Sequence, residues 1–265
     1  MAKRTTCIAP LLFWCACAIF HGCSSSPPGL KVAASSVPHA ELLEAVRPTL
    51  EAQGIPLTVI ITDDYNTPNR ALAEGEVRAN FFQHAPFLEA QVKEFHYPLV
   101  NFATIELEPM GIYSATLTDL HSMPDGSLVA IPNDPSNEGR ALLLLQHQGL
   151  LGLRRGSGLF ATVNDVSHNP RHLRFVEIDA AMLPRTLQDV SIAVINTNYA
   201  LEAGLSPTKN ALVLEGPDSP YANILVVQSG TENDPQLQAL KDALTSDAMR
   251  SFIKDRYQGA VIPAF

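Results

Sequence analysis

Residues 127–149, SLVAIPNDPSNEGRALLLLQHQG, read as a strand, a turn and a helix in immediate succession. Ser127–Ile131 is a short apolar run, and Pro132 and Pro135 bound a turn that neither a ladder nor a helix can pass through unbroken. Ser136–Gln148 then takes up helical spacing, with Ser136 expected as its cap and Gly149 as its stop. The same unit recurs on either side. Further strands are expected at Leu30–Ala34, Leu57–Thr62, Leu99–Glu106, Leu173–Ile178, Ile192–Asn196, Ala211–Leu214 and Asn223–Val227.

Helical patterns lie between them. Ala40–Gln53 is one, from its Leu42, Leu43, Val46 and Leu50, with a kink expected at Pro48. Thr67-Pro68 opens another that Gly75 closes, and Asp234-Pro235 opens a third. Alternation of this kind predicts an α/β fold with mainly parallel sheets. At 265 residues, 46% of them hydrophobic, the chain is long enough for two lobes with buried cores. Ligand chemistry then belongs in the crevice at the carboxyl ends of the strands. The expected division puts 30–112 and 222–265 in one lobe and 113–221 in the other.

Ahead of the first strand the chain reads as an address. Lys3 and Arg4 precede an apolar stretch from Ile8 to Phe20, which ends at His21-Gly22-Cys23. The stretch falls short of the ~20 residues that span a bilayer and has no basic stop behind it, so residues 1–22 are expected to be a signal peptide. Gly22 before Cys23 points to lipidation of that cysteine. Ser24-Ser25-Ser26-Pro27-Pro28-Gly29 follows as a polar, proline-stiffened tether.

Charge and cysteine usage exclude several classes. With 27 acids against 18 bases the net charge is −9, which gives no general pull toward nucleic acid. All four cysteines lie in the first 23 residues, so the rest of the chain forms neither a disulfide nor a cysteine metal site. No G-x-S-x-G elbow, P-loop or H-E-x-x-H is present, and no catalytic residue or cofactor is expected. His168 and His172 have the spacing of helical metal ligands, but Pro170 between them favours surface histidines.

Four places beside expected strands attract attention instead. Asn80-Phe81-Phe82-Gln83-His84-Ala85-Pro86-Phe87 places three aromatics and a histidine where a short strand meets a helix, as either core or pocket wall. Asn133 to Arg140 forms a helix start whose free N–H groups suit an anion. There Arg140 can clamp a carboxylate with two parallel hydrogen bonds, or be solvated or paired with Glu138. Asn196 and Asn223 sit where an amide's donor and acceptor suit the two ends of an amino acid, or else serve as turn residues.

Taken together, NFFQHAPF, IPNDPSNEGRALLLL, GSGLFATVNDV, LPRTLQDVSIAVINTNYA and SPYAN resemble the NlpA family, the methionine-binding lipoproteins of bacterial ABC importers. The resemblance runs in order from Leu30 to Phe265. It implies a two-lobed periplasmic-binding-protein fold, type 2-like, that closes around one amino acid. It also implies that Arg140 grips the ligand carboxylate, that Asn196 and Asn223 hold the amino and carboxylate ends, and that Asn137 is a further ligand-binding residue. Tyr65, Phe82, His84 and Phe87 would enclose a thioether side chain. Phe87 stands where the family usually has tyrosine, and Phe81 where it has a small residue. The partners implied are methionine, an importer permease with its ATPase, and a membrane reached through lipid on Cys23, with the domain monomeric and outside the cytoplasm. A surface lipoprotein with an adhesive or signalling role, or a binding protein for another amino acid, a short peptide or a metal, are the alternative readings.

Overall fold

The computed structural model describes residues 1–2 and 29–265. The expected signal segment, Cys23 and the tether lie outside the described residues, apart from Met1, Ala2 and Gly29. From Leu30 the chain makes β1 (Leu30–Ala34), α1 (Glu41–Ala52), β2 (Leu57–Ile61), α2 (Thr67–Ala73), β3 (Ala79–His84), α3 (Ala85–Phe95) and β4 (Leu99–Leu107). It then makes β5 (Gly111–Tyr113), β6 (Leu128–Pro132), α4 (Pro135–His147), a β7 (Gly152–Leu153) and β8 (Val166–His168) ribbon, and β9 (Arg174–Ile178). After β10 (Ile192–Ile195) come α5 (Thr197–Glu202), α6 (Pro207–Asn210) and β11 (Val213–Leu214). The chain closes with β12 (Asn223–Gln228), α7 (Pro235–Leu244), α8 (Asp247–Tyr257) and β13 (Ile262–Pro263).

These strands form two large sheets, ordered β13-β4-β12-β3-β1-β2 and β11-β5-β10-β6-β9. Both are mixed rather than mainly parallel. β1 pairs in parallel with β2 and β3, and β6 with β9 and β10, as β/α units require. Each passage between the sheets, however, delivers a strand running the other way: β12 lies antiparallel between β3 and β4, and β5 antiparallel beside β10. The first passage lies between Leu107 and Gly111, ahead of the expected boundary at 112/113, because Gly111–Tyr113 already pairs with the second sheet.

Strands buried on both faces explain the continuous apolar runs in the sequence. On one face of the first sheet, Leu42, Leu43 and Leu50 of α1 pack with Leu237 and Leu240 of α7 and Ile253 of α8. On its other face Leu72 and Leu88, from α2 and α3, pack with Ile224 and Val226. In the second sheet Leu142 and Leu145 of α4 cover Val129, Ile131, Ile192 and Val194. Among the described residues no helix is long and apolar enough to cross a membrane.

α1 runs from Glu41 to Ala52 with Pro48 inside it. Helix starts correct two local expectations. The cap of α4 is Asp134 rather than Ser136: Pro135 occupies the first helical position, and Asp134 Oδ1 accepts the Asn137 N–H at 3.0 Å. Likewise Asp64, not Thr67, receives the first N–H groups of α2, at 2.6 and 2.8 Å.

Candidate functional site

The carboxyl ends of β3, β6 and β10 face one another, and a narrow cavity lies among them, with about 320 Å³ of space between the atoms that includes its opening to solvent. All eight residues singled out in the sequence line it: Tyr65, Phe82, His84, Phe87, Asn137, Arg140, Asn196 and Asn223. Gln83, Glu108, Thr197 and Asn198 complete the wall. A second cavity, of about 510 Å³, lies on the far side of Tyr65 and Phe87, against Asp134, Asp179 and Tyr199.

One end of the cavity is aromatic. The Tyr65, Phe82 and Phe87 rings stand 5.7–5.8 Å apart between centroids, tilted or edge to face. Phe81, one residue before Phe82, belongs instead to the core beneath α1, since successive residues of a strand point to opposite faces. His84 both ends β3 and caps α3: its Nδ1 accepts the Phe87 N–H at 3.1 Å. With Nδ1 an acceptor, Nε2 carries the proton and donates to Asn137 Oδ1 at 3.1 Å. Burial, and then the Arg140 guanidinium, push the His84 pKa down to about 3, so this imidazole is neutral at physiological pH.

The other end is polar. Asn137 Oδ1 also accepts from Asn196 Nδ2 at 2.7 Å, while its own Nδ2 is held by both Asp134 oxygens at 2.9 and 3.0 Å. That leaves Asn196 Oδ1 and Asn198 Nδ2 buried without a partner, one acceptor and one donor on the wall of the cavity. Tyr65 Oη donates to Asn198 Oδ1 at 2.6 Å, a second bridge from the first sheet's side to the second's. Burial, and then the neighbouring Glu106, raise the Glu108 carboxyl well above the usual carboxylate range.

Arg140 is buried, and neither solvated nor paired with Glu138. Its Nη2 lies 2.5 Å from Glu215 Oε2 and donates to the Glu108 carbonyl at 2.8 Å, its Nε reaches both Glu215 oxygens at 3.2 Å, and its guanidinium lies over the Tyr221 ring at 4.6 Å. Glu138 accepts the Val163 N–H instead. The helix start near Arg140 is likewise not free for an anion, because Asp134 already caps it. Nη1 takes no part in the Glu215 and Glu108 bonds, so the guanidinium is held in place with donors left over.

A cavity with an aromatic end and an unsatisfied donor and acceptor at the other fits an amphipathic zwitterion, and the NlpA lipoprotein family model matches this chain over residues 30–265. The chain belongs to the NlpA lipoprotein family. Membrane lipoprotein TpN32 of Treponema pallidum is 43% identical to this NlpA protein over 86% of each chain. The methionine-binding lipoprotein MetQ of Bacillus subtilis is 38% identical over 94% of this chain and 92% of its own. Among solved structures, a nutrient binding protein from Burkholderia cenocepacia bound to methionine superposes with a TM-score of 0.87 at 43% identity, covering 89% of this chain and all of that one.

Thr197 and Asn198 are further wall residues, directly after Asn196 in the sequence and distinguished from their neighbours by no motif. Glu108 carried no motif of its own. Its role emerges only where β4 ends beside Asn223.

Proposed function

We propose that this protein is the solute-binding component of a bacterial ABC importer, and that it captures methionine outside the cytoplasmic membrane and passes it to the permease and its ATPase. The observation that carries this reading is the pairing of the Tyr65, Phe82 and Phe87 cage with the unpartnered Asn196 Oδ1 and Asn198 Nδ2 inside one cavity. A thioether against aromatic rings gains roughly 0.3–1.5 kcal/mol per contact. Asn196 Oδ1 suits an ammonium, and Asn198 Nδ2 with Arg140 suits a carboxylate. Relatives whose names and contents specify methionine support the choice over other apolar amino acids.

The same reading makes residues 1–22 a signal peptide and Cys23 a lipid anchor, with the domain a monomer in the cell envelope and without catalytic activity. Its lobes would be the two sheets with their helices. The test is the melting temperature of ligand-stripped protein against all twenty amino acids and D-methionine. Ligand at 100 times its Kd stabilises by about 2.7 kcal/mol, so one enantiomer of methionine should give the largest rise. A larger rise with an unrelated amino acid refutes the assignment.

A further inference from the structure

Behind the cavity wall, four polar side chains converge in the interior of the first sheet's lobe. His39 comes from the turn between β1 and α1, Glu106 from β4, Glu108 from just beyond it, and Asn223 from the start of β12. All four are buried, at 1%, 0%, 4% and 6% exposure. Asn223 Nδ2 lies 2.9 Å from Glu106 Oε1, 2.9 Å from Glu108 Oε1 and 3.1 Å from His39 Nε2. His39 Nε2 is in turn 3.3 Å from each of the two carboxylate oxygens.

Hydrogen bonding does not satisfy this cluster. The two hydrogens of the Asn223 amide go to the two glutamate oxygens, so His39 Nε2 at 3.1 Å is either an acceptor with no hydrogen left for it or a donor facing a donor. The other ring nitrogen of His39 is engaged with Ser35 Oγ at 2.6 Å. Glu106 Oε2, on the carboxyl group that faces the cluster, is buried with no partner. Among the described residues no lysine or arginine forms an ion pair with either carboxylate, and Arg140, the cation whose charge reaches Glu108, is paired with Glu215 instead.

The three Asn223 spacings are hydrogen-bond lengths, whereas the two His39 spacings are longer than a good hydrogen bond and match a metal. A tetrahedral cation about 2.0–2.1 Å from its nitrogen and oxygen ligands holds those ligands about 3.3 Å from one another. The two His39–glutamate edges are 3.3 Å and the three edges to Asn223 are 2.9–3.1 Å. Rotating the Asn223 amide by half a turn exchanges Nδ2 for Oδ1, a choice set by the hydrogen-bond network and therefore by whatever occupies the centre. We propose that His39, Glu106, Glu108 and Asn223 form a binding site for a divalent cation of the zinc class, through one imidazole nitrogen and three oxygens. Ser35 orients the imidazole as an outer ligand partner does, and the Phe81 ring, 4.5 Å away and edge-on, holds it from the side. Because Glu108 and Asn223 also line the cavity, occupancy of the two sites is coupled reciprocally, whatever small molecule the cavity takes.

The test uses the full chain, dialysed against a chelator and titrated with zinc chloride by calorimetry, with magnesium chloride as control and cobalt(II) as a spectroscopic probe. One equivalent of zinc should bind and raise the melting temperature, magnesium should do neither, and cobalt should give the d–d absorption of a tetrahedral nitrogen and oxygen site. A thiolate charge-transfer band would instead report binding by the cysteines of the first 23 residues and would overturn the proposal. Glu106→Gln, isosteric and outside the cavity, and His39→Gln should each lower zinc affinity at least tenfold. Absence of zinc uptake by the parent protein, or equal uptake by both folded variants, would also overturn it. The zinc-dependent rise in melting temperature and the cobalt spectrum are read on the parent alone and do not depend on the variants folding.

Discussion

His84 Nε2 and Asn137 Oδ1 meet at 3.1 Å across the cleft: the histidine ends a strand of the first sheet, and the asparagine sits in the first turn of the helix that follows a strand of the second. The bond joins two places where a strand gives way to a helix without an intervening loop or across a two-residue turn. Each side chain is therefore fixed by its own helix cap before it reaches the other. The cleft is bridged by groups that other hydrogen bonds already hold, His84 through the Phe87 N–H and Asn137 through Asp134.

The first prediction concerns pH. His84 is held neutral, with a pKa of about 3 in the folded protein against about 6.5 in the unfolded chain. The unfolded state binds the proton more readily, so this residue's contribution is present above about pH 6.5 and is lost as pH falls toward 3. On going from pH 7 to pH 5, urea unfolding should show the parent losing more stability, or gaining less, than His84→Asn. Subtracting the same pair of measurements for His84→Asn removes the other groups, including Glu108, whose raised pKa acts in the opposite sense. An identical pH dependence in the variant would show that His84 is not the group responsible.

Tyr65→Phe is expected to weaken the closed state. It removes the 2.6 Å bond to Asn198 Oδ1, and Asn198 Nδ2 is already without a partner, so the whole amide is left unbonded. An unsatisfied buried group costs about 1–3 kcal/mol, and about 1.4 kcal/mol is tenfold in affinity. Methionine affinity by calorimetry should fall roughly tenfold, with most of the change in the dissociation rate. Unchanged affinity would mean that Asn198 finds water in the bound state.

The sequence was most informative where structure is local. Phe82, His84 and Phe87 belong to one strand end and the helix after it, and Asn137 and Arg140 to one helix start, so their spacing alone places them together. Pairing across distance was not legible: Glu215 lies 75 residues from Arg140, and nothing near it in the sequence marks it as that arginine's partner. β5 has three residues, too few for a period-2 pattern to register, and so the antiparallel half of the second sheet was missed. α5, at six residues and with no side-chain cap, hid Thr197 and Asn198 in the same way.

Gly139 should tolerate no side chain. A Cβ there would stand 2.1 Å from the Leu159 carbonyl oxygen and 2.8 Å from its carbon, both backbone atoms that cannot swing aside. Gly139→Ala is expected to cost about 2–3 kcal/mol, or roughly 5–10 °C in Tm for a chain of this size. Because Asn137 and Arg140 flank it on the same helix, methionine affinity should fall as well. A Tm within 2 °C of the parent, on the order of the scan's reproducibility and well below the expected shift, would refute the close approach of α4 to the 158–160 turn.

Cys23→Ser should release the protein from the membrane fraction. The residue follows a signal-like segment and precedes a Ser/Pro/Gly tether, and acyl chains contribute ~0.8 kcal/mol per buried CH₂. Fractionation of cells expressing each form decides it. Retention of the variant in membranes would place the anchor elsewhere.

Arg140 is where the charge of the site is concentrated, and Glu215 already engages it through Nη2 at 2.5 Å and Nε at 3.2 Å. Two effects therefore follow from Arg140→Ala. The ligand carboxylate loses its charged partner in a desolvated cleft, and Glu215 loses its own. Truncating one member of a buried charge pair typically costs 2–5 kcal/mol, so methionine affinity should drop roughly 30-fold or more. Arg140→Lys keeps the charge but not the planar fork that can meet Glu215 and a ligand at once, and should recover only part of the loss. Glu215→Gln leaves the guanidinium over Tyr221 and bonded to the Glu108 carbonyl, so its loss should stay below about tenfold, ~1.4 kcal/mol. Calorimetric titration of the three variants, each shown folded by circular dichroism, separates the roles. If Arg140→Ala binds methionine as tightly as the parent, the carboxylate is held by the asparagines alone. If Glu215→Gln is as damaging as Arg140→Ala, the orientation imposed by Glu215, rather than the charge of Arg140, is what the ligand requires.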